Sequence, residues 1–199
     1  GAVLGQPDAF DEALARRLGE VTNLRFRSVL TARPRAVLEA DPEGKHIHWF
    51  STHFSGYDRR KHDAGMAHYL PVNLGEVPDY YRRFIDPPDI VVFKTAPMDE
   101  KGFFNFGPNV LWMRALVERG KGVIVEETPT LPYVMGYGTG VYVSEVDYII
   151  PGFDRPMAEL PKPAATEVDK AVARLIAAEV EDGSCLQIGI GGMPNAVCS

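Results

Sequence analysis

Hydrophobic residues follow two different periods along this chain. In Asp89–Ala96 (DIVVFKTA) and Gly122–Glu127 (GVIVEE) they run on for the length of a strand, the pattern of a strand covered on both faces in a parallel sheet. Leu24–Thr31 (LRFRSVLT) alternates apolar and basic positions, which is also strand-like. His46–Thr52 reads as another strand, Val141–Ile150 as two short ones, Leu186–Ile190 as a last one, and Val3–Pro7 as a strand end and turn. Helical stretches fall between them: Asp8–Leu18, the polar Gly56–Met66, Gly75–Phe84 and Asn109–Arg119. Ala165–Glu181 is the most amphipathic, with Val168, Val172, Leu175, Ile176 and Val180 near the helical repeat. Strand and helix signals alternate, so the expected class is α/β with a mainly parallel sheet and flanking helices.

Four prolines in Pro151–Pro163 mark an extended linker and a domain boundary. This places one domain over 1–160, and the linker with the opening helix and strand of a second over 161–199. Two glycine-rich loops stand at the carboxyl ends of predicted strands, where open α/β sheets bind ligands. Pro97–Pro108 (PMDEKGFFNFGP) is one, and its Asp99 and Glu100 are candidates for acid–base work, weighed against a surface loop with solvated charges. The second ends the apolar run that begins at Cys185: Gly189-Ile190-Gly191-Gly192-Met193, with Pro194 expected to open a helix. Backbone N–H groups at such a turn suit a phosphate or a developing oxyanion. A dinucleotide fingerprint fails because Pro194 stands where its third glycine belongs, and no Gly-Lys-Ser/Thr follows to make a phosphate loop. Gln187, two residues before Gly189, lies near the mouth of this turn or points to solvent.

Charge narrows the field. A net charge of −6 gives no basic excess for neutralising nucleic-acid phosphates. No apolar run reaches the roughly 18 residues of a membrane span, and no charged leader precedes an apolar core, so a cytoplasmic protein is expected. Two cysteines, Cys185 and Cys198, fit the same reducing compartment, with Cys185 expected as a small core residue on its strand. The absence of a first Met and the end at Ser199, barely into a predicted helix, read as a truncated chain. His46 and His48 share a strand face, with His53, His62 and His68 nearby, but no third ligand stands in a fixed relation to them, so no metal is expected. Glu126 and Glu127 end a predicted buried strand, either as nucleophile or base or as hydrogen-bond partners of a neighbouring loop. Arg59, Arg60 and Lys61 read as a solvated helix face, with contact to an anionic ligand as the alternative.

Six stretches in order resemble the acetyl-CoA hydrolase/transferase family, which includes 4-hydroxybutyrate, butyryl and acetate CoA-transferases. They are Gly5-Gln6-Pro7, Phe54–Pro71, Ala96–Gly107, Val123–Pro132, Val143–Pro161 and Leu186–Val197 (LQIGIGGMPNAV). The resemblance implies an α/β fold of the NagB/RpiA/CoA-transferase kind. It implies CoA transfer between an acyl-CoA and a short carboxylate, through a glutamyl-CoA thioester whose glutamate falls past Ser199. It assigns CoA contacts to Gly189, Ile190, Gly191, Gly192 and Met193, a supporting role to Gln187, and the substrate pocket to Gln6, Pro7, Pro97, Asp99 and Gly102. Acyl-CoA and a carboxylate are then the partners, together with a missing carboxyl-terminal domain and further copies of the chain. Gln6 stands where an acidic residue is frequent and Thr95-Ala96 where Val-Ser is usual, departures that bear on the acyl group. Acyl-CoA hydrolysis and a non-catalytic acyl-CoA-binding fragment are the alternatives, and the 199 residues alone are expected to be inactive.

Overall fold

Two small parallel sheets carry the first part of the chain. In chain order the elements are α1 (Ala9–Arg16), β1 (Leu24–Ser28), α2 (Ala36–Glu39), β2 (Ile47–Ser51), α3 (Gly56–Asp63), β3 (Ala67–Tyr69), α4 (Val77–Arg83) and β4 (Ile90–Thr95). There follow β5 (Phe103–Asn105), α5 (Met113–Arg119), β6 (Gly122–Glu127), β7 (Gly140–Tyr142), β8 (Tyr148–Pro151), α6 (Glu167–Ala177) and α7 (Gly192–Val197). This computed structural model describes residues 4–157, 159 and 164–199. The chain divides into two compact units, Gly1–Ala158 and Glu159–Ser199. No described helix is long and apolar enough to cross a membrane.

β1, β2 and β3 pair in that order, all parallel; β4, β6 and β8 form a second parallel sheet, and β5 pairs antiparallel with β7. In the second sheet Ile90 faces Gly122 and the register runs on to Thr95 opposite Glu127. Side chains alternate across a strand, so Val91 and Phe93 of β4 and Val123 and Val125 of β6 share a face. That face packs with Phe104, Phe106, Trp112, Met113 and Val141 into the larger core. Each such side chain contributes about 1.5–3 kcal/mol by leaving water. Lys94 and Glu126, register partners near the strand ends, lie on the other face.

The first sheet builds its own core from Val37, Leu38, Ile47, Trp49, Tyr57 and Ala67. The Trp49 indole N–H is satisfied by Ser28 Oγ at 2.8 Å. α3 starts sharply because Ser55 Oγ accepts the N–H of Tyr57 and of Asp58 at 3.1 Å, while Asp58 accepts the Ser55 N–H at 2.9 Å. This is a reciprocal cap.

The α/β class with mainly parallel sheets stands as the sequence implied, with local corrections. The expected strand Leu186–Ile190 is not formed: residues 185–189 are irregular and 181–190 are exposed. A strand is defined by its pairing, and no described strand runs beside this one. Cys185 is accordingly exposed, not a core residue. α7 begins at Gly192, so Pro194 is its third residue and not its first. α5 begins at Met113, four residues later than Asn109, after Leu111 with φ +29°. β5 lies inside the Pro97–Pro108 stretch read as loop, and α2 was not anticipated. Of Val3–Pro7, Val3 lies outside the described residues and Leu4–Pro7 form no strand. In the proline-rich stretch, residues 152–157 are neither helix nor strand, while 158 and 160–163 lie outside the described residues.

Candidate functional site

The carboxyl ends of β4 and β6 are where the first unit concentrates its buried polar groups. Asp8 stands at the head of α1, where a carboxylate would normally cap the helix, yet it makes no cap. Its carboxylate turns instead to Lys94 Nζ at 2.6 Å, Arg35 Nη1 at 2.9 Å and the Arg33 guanidinium. The N–H groups of Asp8 and Phe10 are taken by Glu126, at 2.8 Å to Oε1 and 2.9 Å to Oε2. Since Lys94 and Glu126 sit side by side in register, Asp8 is held at its backbone by one strand and at its carboxylate by the next. Arg35 also donates to the Pro7 carbonyl, and Asp11 caps α2 by accepting the Ala36 and Val37 N–H groups at 2.7 and 3.2 Å.

Electrostatics follow from these contacts. Burial would push Asp8 up, but the hydrogen bonds and charges of Lys94 and Arg33 outweigh it and bring the carboxyl down to about 2. At Asp11 burial prevails over Arg35 and the α2 N–H groups, and the carboxyl lies above its ordinary value. The turn ahead of Asp8 is equally confined. Gln6 is 4% exposed and its Nε2 donates to Thr31 Oγ1 at 3.5 Å, while Thr31 donates through N and Oγ1 to the buried Asp58. A Cβ on Gly5 would fall 1.8 Å from Asn109 Nδ2, so this position excludes a side chain unless Asn109 moves.

On the other face of the same strand ends, Glu127 Oε1 accepts the Met98 N–H at 2.7 Å. Asp99 then shapes the loop: its Oδ1 accepts the N–H of Lys101 at 2.9 Å and of Phe103 at 3.0 Å, and its Oδ2 accepts the Tyr133 hydroxyl at 3.3 Å. The Phe103 N–H leads in holding Asp99 below the usual carboxylate range, so it is ionised at neutral pH. Gly102 takes φ +74°, a left-handed conformation that lets the chain reverse into β5. Asn105 locks the far side, accepting from Gly107 N at 2.8 Å and Val134 N at 3.0 Å and donating to Val134 O at 2.9 Å.

The residues singled out in the sequence therefore fall into two groups. Gln6 and Pro7 precede Asp8, which the β4 and β6 ends hold, with Gln6 bonded to Thr31 and the Pro7 carbonyl to Arg35; Pro97, Asp99 and Gly102 follow β4 on the side held by Glu127. Glu126 and Glu127 are the hydrogen-bond partners of neighbouring loops. Gln187 and Gly189–Met193 belong to the second unit, where Gln187, Gly189 and Ile190 are exposed. Gly191 has φ +155°, a conformation open to glycine and little else, and it leads into the six-residue α7. His46 Nδ1 is 2.7 Å from the Val21 carbonyl and His62 Nδ1 is 2.7 Å from that of Ala67; His48, His53 and His68 are exposed. Among the described residues no group of three or more His, Cys, Asp or Glu is disposed to hold a metal. Arg59 and Arg60 are solvated as expected, but Lys61 is partly buried, 3.0 Å from Glu39 and over the Tyr57 ring.

Sequence reasoning missed Lys94, Arg33, Arg35 and Asp8. A signal was present, since Lys94 is the one charge inside the apolar run IVVFKT. A lysine there needs a buried anion, and only the fold shows that Asp8, 86 positions earlier, supplies it.

Comparison with known proteins agrees with this architecture. The Acetyl-CoA hydrolase/transferase N-terminal domain matches residues 1–161. Among curated relatives, butyryl-CoA:acetate CoA-transferase of Anaerostipes caccae is 43% identical over 97% of this chain and 44% of its own length. A probable butyrate:acetyl-CoA coenzyme A-transferase of Syntrophomonas wolfei is 35% identical over 96% of this chain and 42% of its own. The crystal structure of RipA from Yersinia pestis superposes with a TM-score of 0.87 at 28% identity, over 100% of this chain and 48% of that one. The chain thus spans less than half the length of the relatives it matches. With its matched domain, relatives and fold in agreement, the chain belongs to the acetyl-CoA hydrolase/transferase family.

Proposed function

We propose that this chain is the amino-terminal part of a CoA-transferase that moves CoA between an acyl-CoA and a short-chain carboxylate of the butyrate, 4-hydroxybutyrate or acetate type. The observation that carries the reading is 43% identity over 97% of the chain to a butyryl-CoA:acetate CoA-transferase. In the proposed reaction a glutamate beyond Ser199 attacks the thioester carbonyl and expels CoA thiolate, leaving an acyl-glutamyl anhydride. The thiolate then attacks the glutamyl carbonyl and releases the carboxylate, which gives a glutamyl-CoA thioester. An acceptor carboxylate takes the CoA by the reverse steps. No metal or redox partner enters this balance.

The chemistry sets requirements that the chain's residues fit. A carboxylate nucleophile must be desolvated and positioned, and each tetrahedral oxyanion needs N–H donors. The glycine-rich turn Gly189–Met193 supplies backbone that a ligand can approach closely. Gln6 and Pro7, with Pro97, Asp99 and Gly102, form the acyl pocket in this reading, and Gln187 supports the turn. The test is intact-mass spectrometry of the full-length protein mixed with butyryl-CoA and no acceptor. A covalent CoA adduct, removed on adding acetate, is expected. Butyryl-CoA turnover with no adduct at any time contradicts the thioester route.

A further inference from the structure

Glu126 is a fully buried carboxylate, at 0% exposure, and both of its oxygens go to backbone N–H groups, those of Asp8 and Phe10. Capping α1 does not by itself call for this arrangement. A side chain able to cap the helix is present in Asp8, at the N-cap position itself, and it is diverted to Lys94, Arg33 and Arg35. The result is that the start of α1 is tied to the ends of β4 and β6 and not to itself. Everything anchored here lies at the end of Gly5-Gln6-Pro7 or just after it: the Pro7 carbonyl by Arg35, the Asp8 carboxylate by Lys94, and the Asp8 and Phe10 N–H groups by Glu126. The next residue of β6, Glu127, holds Met98 at the start of the other candidate loop.

We propose that Glu126 is a positioning residue of the candidate site, fixing the Gly5-Gln6-Pro7 turn against the strand end from which Glu127 holds the Pro97–Gly102 loop. The inference rests on the functional reading above and deepens it. Misplacing a binding turn by a fraction of an ångström weakens the complex it forms more than it alters the chemistry of a distant nucleophile. A glutamine at 126 keeps the size but offers one acceptor for two N–H groups, and its NH2 opposes the second. An aspartate keeps the charge but is one methylene short.

The experiment compares wild type, Glu126→Gln and Glu126→Asp in the full-length protein, each assayed well below its own melting temperature with butyryl-CoA and acetate. Glu126→Gln is expected to raise KM for acetate about tenfold with kcat little changed. The Asp8 and Phe10 amides should exchange with solvent about tenfold faster, while those of Val91 and Val125 stay protected. Glu126→Asp should fall between, and it carries the test should the glutamine variant not fold. Faster exchange with wild-type KM and kcat makes Glu126 a purely structural tether and overturns the proposal, as does unchanged exchange at Asp8 and Phe10. A wild-type protein that shows no transfer contradicts the functional reading instead, whatever the exchange of the variants.

Discussion

Asp8 concentrates the energetics of this site in one residue. Three cations and two strand ends meet there, and removing a partner from a buried ion cluster is far costlier than losing a surface pair. Asp8→Asn leaves Lys94 and the two arginines without their shared anion and should lower stability by about 3 kcal/mol at neutral pH. The pH dependence has a definite sign. The Asp8 carboxyl, at about 2 when folded, lies below its unfolded value, so its contribution is complete above about pH 4 and is lost as pH falls through about 2. The amount is about 2 kcal/mol. Asp11, raised by burial, works in the opposite direction and softens the loss. Urea denaturation at steps from neutral pH down to pH 2 checks this: the wild-type curve should fall steeply over the last two units, and that of Asp8→Asn should be flatter there. Parallel curves would show that Asp8 is not the group responsible.

Among the elements, the least forgiving junction is the antiparallel pair β5–β7. Gly140 faces Asn105 in register, and a Cβ there would come 2.0 Å from the Phe104 carbonyl oxygen. The obstacle is backbone, so β7 must move away from β5, carrying with it Val141, which is buried in the larger core. Gly140→Ala should cost about 3 kcal/mol, at the upper end of overpacking losses, read as a lower urea midpoint. A midpoint within error of wild type would mean the pair closes differently. How much of this was visible in advance differs by element. β4 and β6 were readable because they are apolar over strand length, and β6 matches its expected bounds. β5 was not, because three residues between Gly102 and Phe106 carry no period, and it is the pairing with β7 that makes them a strand. Leu186–Ile190 failed in the opposite sense: its apolar pattern is that of a strand, but pairing is a property of neighbours and not of the segment. The candidate site shows the same division. Gln6, Pro7, Pro97, Asp99 and Gly102 were read as family motif positions. Of the grip on Asp8 only the lone charge of Lys94 in its apolar run leaves a local trace, because Asp8 lies more than 80 positions from both Lys94 and Glu126.

The first unit holds two parallel sheets and a pair of loops tied to consecutive glutamates at the end of β6; the second carries the glycine-rich turn. The chain covers 44% of a butyryl-CoA:acetate CoA-transferase, and the proposed reaction puts its nucleophile beyond Ser199. These residues by themselves should therefore turn over no acyl-CoA. Transfer to a carboxylate, as proposed, makes consumption of acyl-CoA depend on the acceptor. The full-length protein is incubated with butyryl-CoA, with and without deuterated acetate, and both CoA esters and free CoA are followed by mass spectrometry. Butyryl-CoA should be consumed over many turnovers only when acetate is present, with deuterated acetyl-CoA appearing in equal amount. Consumption at the same rate without acetate, with free CoA accumulating, would contradict transfer and make the protein a hydrolase.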